Sequence, residues 1–115
     1  MGGDGKGVGA IVKRIAFKMK LKPGHVEEYK RRHDNIWPEL VDEIRRDGTS
    51  DFSIFLDEET LTLFACQKVS DGSDPVAHAA KEVSIQWRDY MADILEVHPD
   101  NTAKCVPLLE MFHLE

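Results

Sequence analysis

Residues 12–46 read VKRIAFKMKLKPGHVEEYKRRHDNIWPELVDEIRR, and the spacing of apolar side chains changes once within this stretch. From Val12 to Leu21 apolar and polar side chains alternate, which predicts a β-strand with one buried face. Pro23-Gly24 then interrupts the alternation. From about His25 to Asn35 the spacing is that of a helix. The stretch therefore predicts a strand that passes directly into a helix.

The helical part of this stretch is divided at Trp37-Pro38. Proline disfavours helical geometry in the residue before it, so we expect a kink or a fresh start at this point. A second helical piece is predicted over residues 39–46. Asp47-Gly48 follows it, with glycine in its usual position just beyond a helix end.

The rest of the chain predicts three more strands and one more helix. The second and third strands form a hairpin, and Asp74-Pro75 gives the second helical region an N-cap with proline at the first helical position. The predicted ranges are strand 51–56, strand 61–69, helix 75–95 with a break near Glu82, and strand 105–114. The order β-α-β-β-α-β predicts a ferredoxin-like α+β fold, with a four-stranded antiparallel sheet and both helices on one face.

The predicted strands carry apolar residues on both faces. In the second strand Phe52, Ile54 and Leu56 share one face, while Phe55 lies on the other. Helices can cover only one face of such a sheet, and a large apolar second face needs another cover. A second copy of the chain is the simplest one, so we expect a homodimer with the two sheets face to face.

The length of 115 residues suits one domain, predicted over residues 11–115. Residues 1–10 are glycine-rich and are expected to form a disordered tail. They lack the apolar stretch of a signal peptide, and no segment of the chain is apolar enough to span a bilayer. These features favour a cytoplasmic protein.

The net charge of −6 disfavours nucleic-acid binding and adsorption to an anionic membrane. The one basic cluster, Lys30-Arg31-Arg32, is interleaved with acidic residues. This mixture is typical of a solvated helix face.

The cysteines and histidines show no metal-ligand spacing, and no cofactor motif is present, so we expect neither a metal nor a cofactor. Cys66 and Cys105 fall in apolar, strand-like runs and do not resemble a disulfide framework. We expect both thiols to be reduced and buried.

Candidate chemistry falls on a helical stripe in which Tyr29, His33 and Trp37 are spaced four residues apart. This spacing places them along one helix face. The imidazole of His33 can exchange protons near neutral pH, whereas a stripe that only fills a core would normally be aliphatic. A core function for Tyr29 and Trp37 is the alternative. Trp87, beside Arg88, lies on the second predicted helix and offers a further aromatic surface.

The run EEYKRRHDNIWPEL, residues 27–40, resembles the signature of the L-rhamnose mutarotases. The resemblance extends from about residue 14 to the end of the chain, through AFKM at 16–19, SIFLD at 53–57, PDN at 99–101 and FHL at 112–114. It implies a homodimeric, cofactor-free isomerase of the dimeric α/β-barrel type, which interconverts the α and β anomers of L-rhamnose.

The same resemblance implies the site residues. The family's proton donor falls on His33 and its sugar-contacting tyrosine on Tyr29. A second sugar-contacting tyrosine falls on Phe52, which lacks the hydroxyl. An adjacent tryptophan pair falls on Trp87 and Arg88, so the second indole is replaced. These two differences from the family pattern affect the residues that contact the sugar. They therefore bear on which sugar is bound more than on the type of reaction.

The predicted mechanism is general acid–base ring opening and reclosure, with His33 as acid to the ring oxygen in one direction and base in the other. The counterpart base is not identified; a bound water or a carboxylate are candidates. The alternatives are a mutarotase for another deoxy sugar, a small dimeric-barrel oxygenase, and a dimeric module that binds a sugar without converting it.

Overall fold

The computed structural model describes residues 12–115. The tail predicted for residues 1–10 lies outside this range. Within it, four strands and four helices follow one another along the chain. They are β1 Val12–Lys20, α1 Val26–Asp34, α2 Pro38–Arg46, β2 Thr49–Asp57, β3 Thr62–Ser70, α3 Pro75–Ala79, α4 Glu82–Met91 and β4 Val106–Leu108.

The strands form one antiparallel sheet in the order β2-β3-β1-β4. The first strand therefore lies inside the sheet, and the last strand returns to pair beside it. This is the predicted ferredoxin-like arrangement. None of the helices in the described range has the length and apolar character needed to cross a bilayer.

The helices begin and end where the local sequence dictates. Trp37 precedes α2 with an extended backbone, φ −66° and ψ 132°, and Pro38 opens the helix, as expected from the steric effect of proline. Asp74 caps α3, because its Oδ1 accepts a hydrogen bond from the Ala77 amide at 3.1 Å. The predicted break near Glu82 is also present, since α3 and α4 are separate helices.

The second helical region ends earlier than predicted, at Met91 instead of Leu95. The backbone beyond Met91 pairs with the end of β1 instead. The Ile94 carbonyl accepts a hydrogen bond from the Lys22 amide at 2.9 Å, and Leu95 forms a β-bridge with Leu21. These pairings use backbone groups that a longer helix would need for itself.

The hydrophobic core lies between the sheet and the helices. Its buried members are Leu21, Tyr29, Leu63, Met91, Ile94 and Leu95. Ile54 and Leu56 pack against this cluster from β2, as the alternation in that strand predicts.

The opposite sheet face, which we call the open face, is uncovered in the single chain and carries several exposed apolar side chains, with Lys18 between Phe64 and Val106. Phe55 is 68% exposed, Phe64 beside it on β3 is also exposed, and so is Leu108 on β4 at the opposite edge of the sheet. Cys66 lies on this face and is exposed, so the prediction that it is buried is wrong. The sequence analysis predicted apolar side chains on this second face, and the helices of the chain leave them uncovered, as expected.

The last strand is much shorter than the predicted range 105–114. Pairing with β1 covers only Val106–Leu108, and residues 109–115 leave the sheet without regular structure. We call these residues the C-terminal segment. The pairing ends where Leu108 lies opposite Ala16, although β1 itself continues back to Val12, so residues 12–15 of β1 have no partner in the C-terminal segment. The apolar side chains of the segment are consequently exposed.

We expect Ile94→Ala to lower the free energy of unfolding by about 2–5 kcal/mol, because its side chain is 1% exposed and its loss leaves a cavity. The control is Val76→Ala on α3, where the side chain is 81% exposed and the change should be within about 0.5 kcal/mol. Urea unfolding of both variants measures the difference. Equal losses would contradict the assignment of Ile94 to the core.

Candidate active site

The predicted stripe on α1 faces α4. The rings of Tyr29 and His33 stack with their centroids 4.3 Å apart. The ring of Trp87, from α4, meets His33 edge-on at a centroid distance of 5.4 Å. The fold therefore brings together three of the five predicted site residues, from two helices that are distant in sequence.

Two further rings extend this group. Trp37 lies edge-on to Trp87 at 5.1 Å, and it stacks on Tyr90 at 5.5 Å. Tyr90 also contacts Trp87 at 5.6 Å. We call the five side chains the aromatic cluster: Tyr29, His33, Trp37, Trp87 and Tyr90. Tyr90 was not predicted as a site residue, although it shares the helical phase of Trp87 on α4.

The imidazole of His33 is held in one orientation. Its Nδ1 lies 3.1 Å from the Tyr29 carbonyl oxygen, one turn earlier on α1. A carbonyl oxygen can only accept a hydrogen bond, so Nδ1 carries the hydrogen in the neutral ring. The lone pair of the neutral ring is then on Nε2. The helix backbone thus selects the tautomer.

Burial lowers the pKa of His33 below its ordinary value of 6.5, because the charged imidazolium loses solvation. The bond to the Tyr29 carbonyl and the charge of Asp34 oppose this shift without reversing it. The neutral ring, with a free lone pair on Nε2, is therefore the main form at neutral pH.

Tyr29 contacts His33 in the candidate site and is also part of the hydrophobic core. It is 8% exposed and belongs to the hydrophobic core. Burial raises the pKa of its phenol well above the ordinary value, with a smaller contribution from Cys105. The phenol therefore remains protonated and can act as a hydrogen-bond donor. Cys105 is exposed by surface area, so its predicted burial is wrong.

The basic cluster on α1 is not uniformly solvated. Lys30 and Arg31 are exposed, but Arg32 is only 9% exposed. Its guanidinium contacts Glu28 on its own helix and Asp93 just beyond α4, at 2.6 Å and 2.8 Å. Hydrogen bonds from Arg31 and then Arg32 lower the pKa of Glu28 to about 2. The prediction of a solvated face is wrong for Arg32, because its charge is paired across two helices.

The other two predicted site residues lie apart from these contacts. Arg88 donates a hydrogen bond from Nη2 to the Ala79 carbonyl at the end of α3, at 2.8 Å. Phe52 is partly exposed on β2 at a break in register, next to Asp51 with a positive φ of 52°. Among residues 12–115, the ring contacts of the aromatic cluster include neither residue.

Two shallow hollows, of about 400 and 450 Å³, lie on the surface formed by residues 12–115. One lies along the outer side of α1, and the other between the starts of α2 and α4, where Trp37 contributes to it. His33 lines neither hollow. Within the described part of the chain, no group of three His, Cys, Asp or Glu side chains is placed to hold a metal ion.

The fold and the site together define a class of protein. It is a small ferredoxin-like α+β protein, with a histidine of fixed tautomer and lowered pKa held against aromatic rings between the helices. Such a group is suited to proton exchange with a bound molecule, and the flat rings are suited to contact with its apolar surface.

Comparisons with known proteins identify the family. The model of the L-rhamnose mutarotase family matches residues 14–114. An L-rhamnose mutarotase of Formosa agariphila is 49% identical over 90% of this chain and all of its own length, and one of Bacteroides thetaiotaomicron is 48% identical with the same coverage. The chain belongs to the L-rhamnose mutarotase family, a family of isomerases.

Solved structures agree with this assignment. The crystal structure of an L-rhamnose mutarotase from Formosa agariphila superimposes with a TM-score of 0.83, at 50% identity, covering 90% of this chain and 99% of that one. A putative antibiotic biosynthesis monooxygenase from Nitrosomonas europaea has a TM-score of 0.59 at 17% identity, covering 90% and 93%. The second similarity shows a shared fold.

We expect the His33 ring to titrate below pH 6.5 when its carbon-bound protons are followed by NMR. Trp87→Ala should move the pKa of His33 up towards 6.5, because water then reaches the ring and solvates the imidazolium. His98→Ala, in an exposed turn, serves to assign the spectrum and should leave the His33 titration unchanged. A value at or above 6.5 in the unmodified protein would contradict the effect of burial.

Proposed function

We propose that this protein interconverts the α and β anomers of L-rhamnose, an aldose 1-epimerase type of reaction. The observation that carries the proposal is the neutral His33 ring, with Nδ1 bonded to a backbone carbonyl and its plane perpendicular to the Trp87 ring at a centroid distance of 5.4 Å. Membership of the L-rhamnose mutarotase family across residues 14–114 supports the choice of sugar.

The reaction requires proton transfer alone. A base takes the proton of the anomeric hydroxyl while an acid protonates the ring oxygen, so the C1–O5 bond breaks and an aldehyde forms. Rotation about C1–C2 presents the other face of the aldehyde, and the reverse transfers close the ring. General acid–base catalysis of this kind contributes about 10²–10⁴-fold in rate.

In this proposal His33 begins the cycle as the base. Because its pKa lies below 6.5, the resting ring is neutral and Nε2 can accept the proton of the anomeric hydroxyl. The imidazolium then returns that proton to the aldehyde oxygen when the ring closes. This order differs from the sequence-based prediction, in which His33 first protonates the ring oxygen. Activity should accordingly be present above the His33 pKa and lost as the pH falls through it.

The other site residues have distinct roles in the proposal. The protonated phenol of Tyr29 donates a hydrogen bond to a sugar oxygen. The ring oxygen is the candidate acceptor, because it must gain a proton when the ring opens. The indole of Trp87 supplies an apolar wall for the C–H face of the sugar. Phe52 and Arg88 remain candidate substrate-binding residues, and since Phe52 has no hydroxyl it offers the sugar an apolar contact alone.

A mutarotase for another deoxy sugar is the second candidate. The replacement of the family's tyrosine by Phe52, and of the second indole by Arg88, favours some change in the sugar that is accepted. Losing one hydrogen bond to the sugar would cost about 0.5–1.5 kcal/mol, which alters preference between sugars without preventing the reaction.

His33→Ala should keep the fold and lose catalysed exchange, leaving the spontaneous rate, because the proton-accepting Nε2 is gone. Saturation transfer between the two anomeric protons of L-rhamnose, with and without protein, measures the exchange. His98→Ala is the matched control and should retain the exchange rate of the unmodified protein, since His98 is exposed in a turn.

Exchange that persists in folded His33→Ala would remove this residue from the mechanism. Faster exchange with another deoxy sugar than with L-rhamnose would favour the second candidate. Ligand-induced shifts without catalysed exchange of any sugar would indicate a binding module, and oxygen consumption would indicate an oxygenase.

We also propose that the protein is a homodimer in which a second copy covers the open face. Two features support this assembly. The open face exposes Phe55 and Phe64 side by side on paired strands, and a surface of this kind seldom stays in contact with water. Two such faces can meet, because twisted sheets pack against each other with their side chains interdigitated.

The C-terminal segment supports the same partner. Leu109, Met111, Phe112 and Leu114 are each at least 80% exposed. The segment continues from β4, which contributes Val106 and Leu108 to the open face. Both apolar features therefore adjoin, and one partner chain can bury them together.

We expect Phe55→Glu to weaken the dimer at least about tenfold in dissociation constant, because a buried carboxylate would lose its solvation. Sedimentation equilibrium over a range of concentrations measures this change. Val76→Glu introduces the same charge at an exposed position on α3 and should leave the association unchanged. A monomeric unmodified protein at high concentration would contradict the proposed assembly.

A further inference from the structure

Arg32 makes an unusually complete set of contacts for a residue outside the proposed chemistry. Its Nε donates to Glu28, and its Nη1 donates to the Tyr90 carbonyl at 2.7 Å. Nη1 and Nη2 also reach the two carboxylate oxygens of Asp93, at 2.8 and 3.2 Å. The guanidinium therefore joins the last turn of α1 to the end of α4 and the residues just beyond it.

The same guanidinium also lies over an aromatic ring. Its carbon Cζ is 4.4 Å from the centroid of the Tyr90 ring, a distance at which a cation is attracted to the ring face. Tyr90 in turn contacts Trp87 at 5.6 Å, and Trp87 contacts His33 at 5.4 Å. A continuous series of contacts thus runs from Arg32 through Tyr90 and Trp87 on α4 to His33, the next residue after Arg32 on α1.

This geometry constrains the site. His33 and Arg32 are consecutive on α1, so a shift of this part of α1 relative to α4 that strains the guanidinium contacts also moves the imidazole relative to Trp87. No other ion pair between side chains of the two helical regions α1 and α4 is present among residues 12–115. The guanidinium of Arg32 is rigid and planar, so its hydrogen bonds fix the orientation of the two helices as well as their separation. A packing contact between apolar side chains fixes the orientation less strictly.

We propose that Arg32 is a positioning residue, which sets the separation between the His33 imidazole and the Trp87 wall through its fork to Asp93 and the Tyr90 carbonyl. Its kinetic consequence rests on the proposed function, since it concerns the placement of the sugar between the base and the wall. Reacting groups must be aligned closely, and a displacement of about 1 Å can lower a rate by as much as about 100-fold.

Lysine cannot replace arginine in this role. An ammonium group is a point charge on a flexible stem, and it cannot reach two carboxylate oxygens and a carbonyl in one plane. Arg32→Lys therefore keeps the charge while removing the geometry. Asp93→Asn removes the negative charge that pairs with Arg32. The Asp93 side chain is exposed, so this change should affect the stability of the fold little.

The first test measures anomer exchange of L-rhamnose as a function of sugar concentration. We expect Arg32→Lys and Asp93→Asn to lower kcat by about 10- to 100-fold. KM should change by less than about threefold, since the aromatic surfaces that bind the sugar remain. Because both changes break one interaction, the double variant should be little worse than either single variant.

The matched control is Arg46→Lys on α2. Arg46 forms an ion pair with Glu43, three residues earlier, at 3.0 Å. Both residues lie in α2, so this pair does not connect two helices. The exchange kinetics of this variant should equal those of the unmodified protein. Urea unfolding of all variants separates a loss of stability from a loss of position.

The second test does not depend on activity. The His33 ring lies edge-on to Trp87, so the ring current of the indole shifts the resonances of the imidazole protons. We expect these resonances to move in Arg32→Lys and Asp93→Asn, and to stay in place in Arg46→Lys. If the unmodified protein does not exchange anomers, the proposed function fails, and this measurement alone decides the positioning role.

Either of two results would overturn the proposal. One is unchanged His33 resonances in both folded variants. The other is a kcat equal to that of the unmodified protein in Arg32→Lys or Asp93→Asn when the unmodified protein does catalyse exchange. If Arg32→Lys does not fold, Asp93→Asn carries both measurements.

Discussion

The contact between the His33 ring and the Trp87 ring, at 5.4 Å, is the interaction on which the proposed chemistry depends. It joins α1 to α4, two helices that share one side of the sheet. Neither ring could be desolvated by its own helix alone. The lowered pKa of His33, its neutral resting form and the proposed order of proton transfers all follow from this packing.

The sheet imposes a second constraint. Because α1, α2, α3 and α4 leave one face of the sheet uncovered, the chain exposes an apolar surface that includes Phe55. The core between sheet and helices is small, as expected for a chain of this length, and a partner on the open face would enlarge the buried apolar area of each subunit. The side that carries the aromatic cluster and the side proposed for association are therefore separate surfaces.

The elements that the sequence predicted well are those with strong local signals. Alternation identified β1, β2 and β3, while Pro38 and Pro75 each mark the start of a helix. Errors occur where a distant partner decides the outcome. The chain after α4 forms backbone hydrogen bonds and a β-bridge near Leu21 in place of further helical turns. The sequence around Arg32 predicts a solvated charge, but in the fold the Asp93 carboxylate pairs with it. No spacing along the chain encodes either partner.

By itself, the sequence determined the order of strands and helices, the presence of apolar side chains on both sheet faces, and the stripe of Tyr29 and His33 with a candidate wall at Trp87. These are properties of period and residue type, which act over a few residues. The tertiary structure alone decided the tautomer and desolvation of His33, the burial of Arg32 and the departure of the C-terminal segment from the sheet. Each of these depends on the electrostatic environment and hydrogen-bond partners supplied by residues far away in the chain, and those exist only once the helices are packed on the sheet.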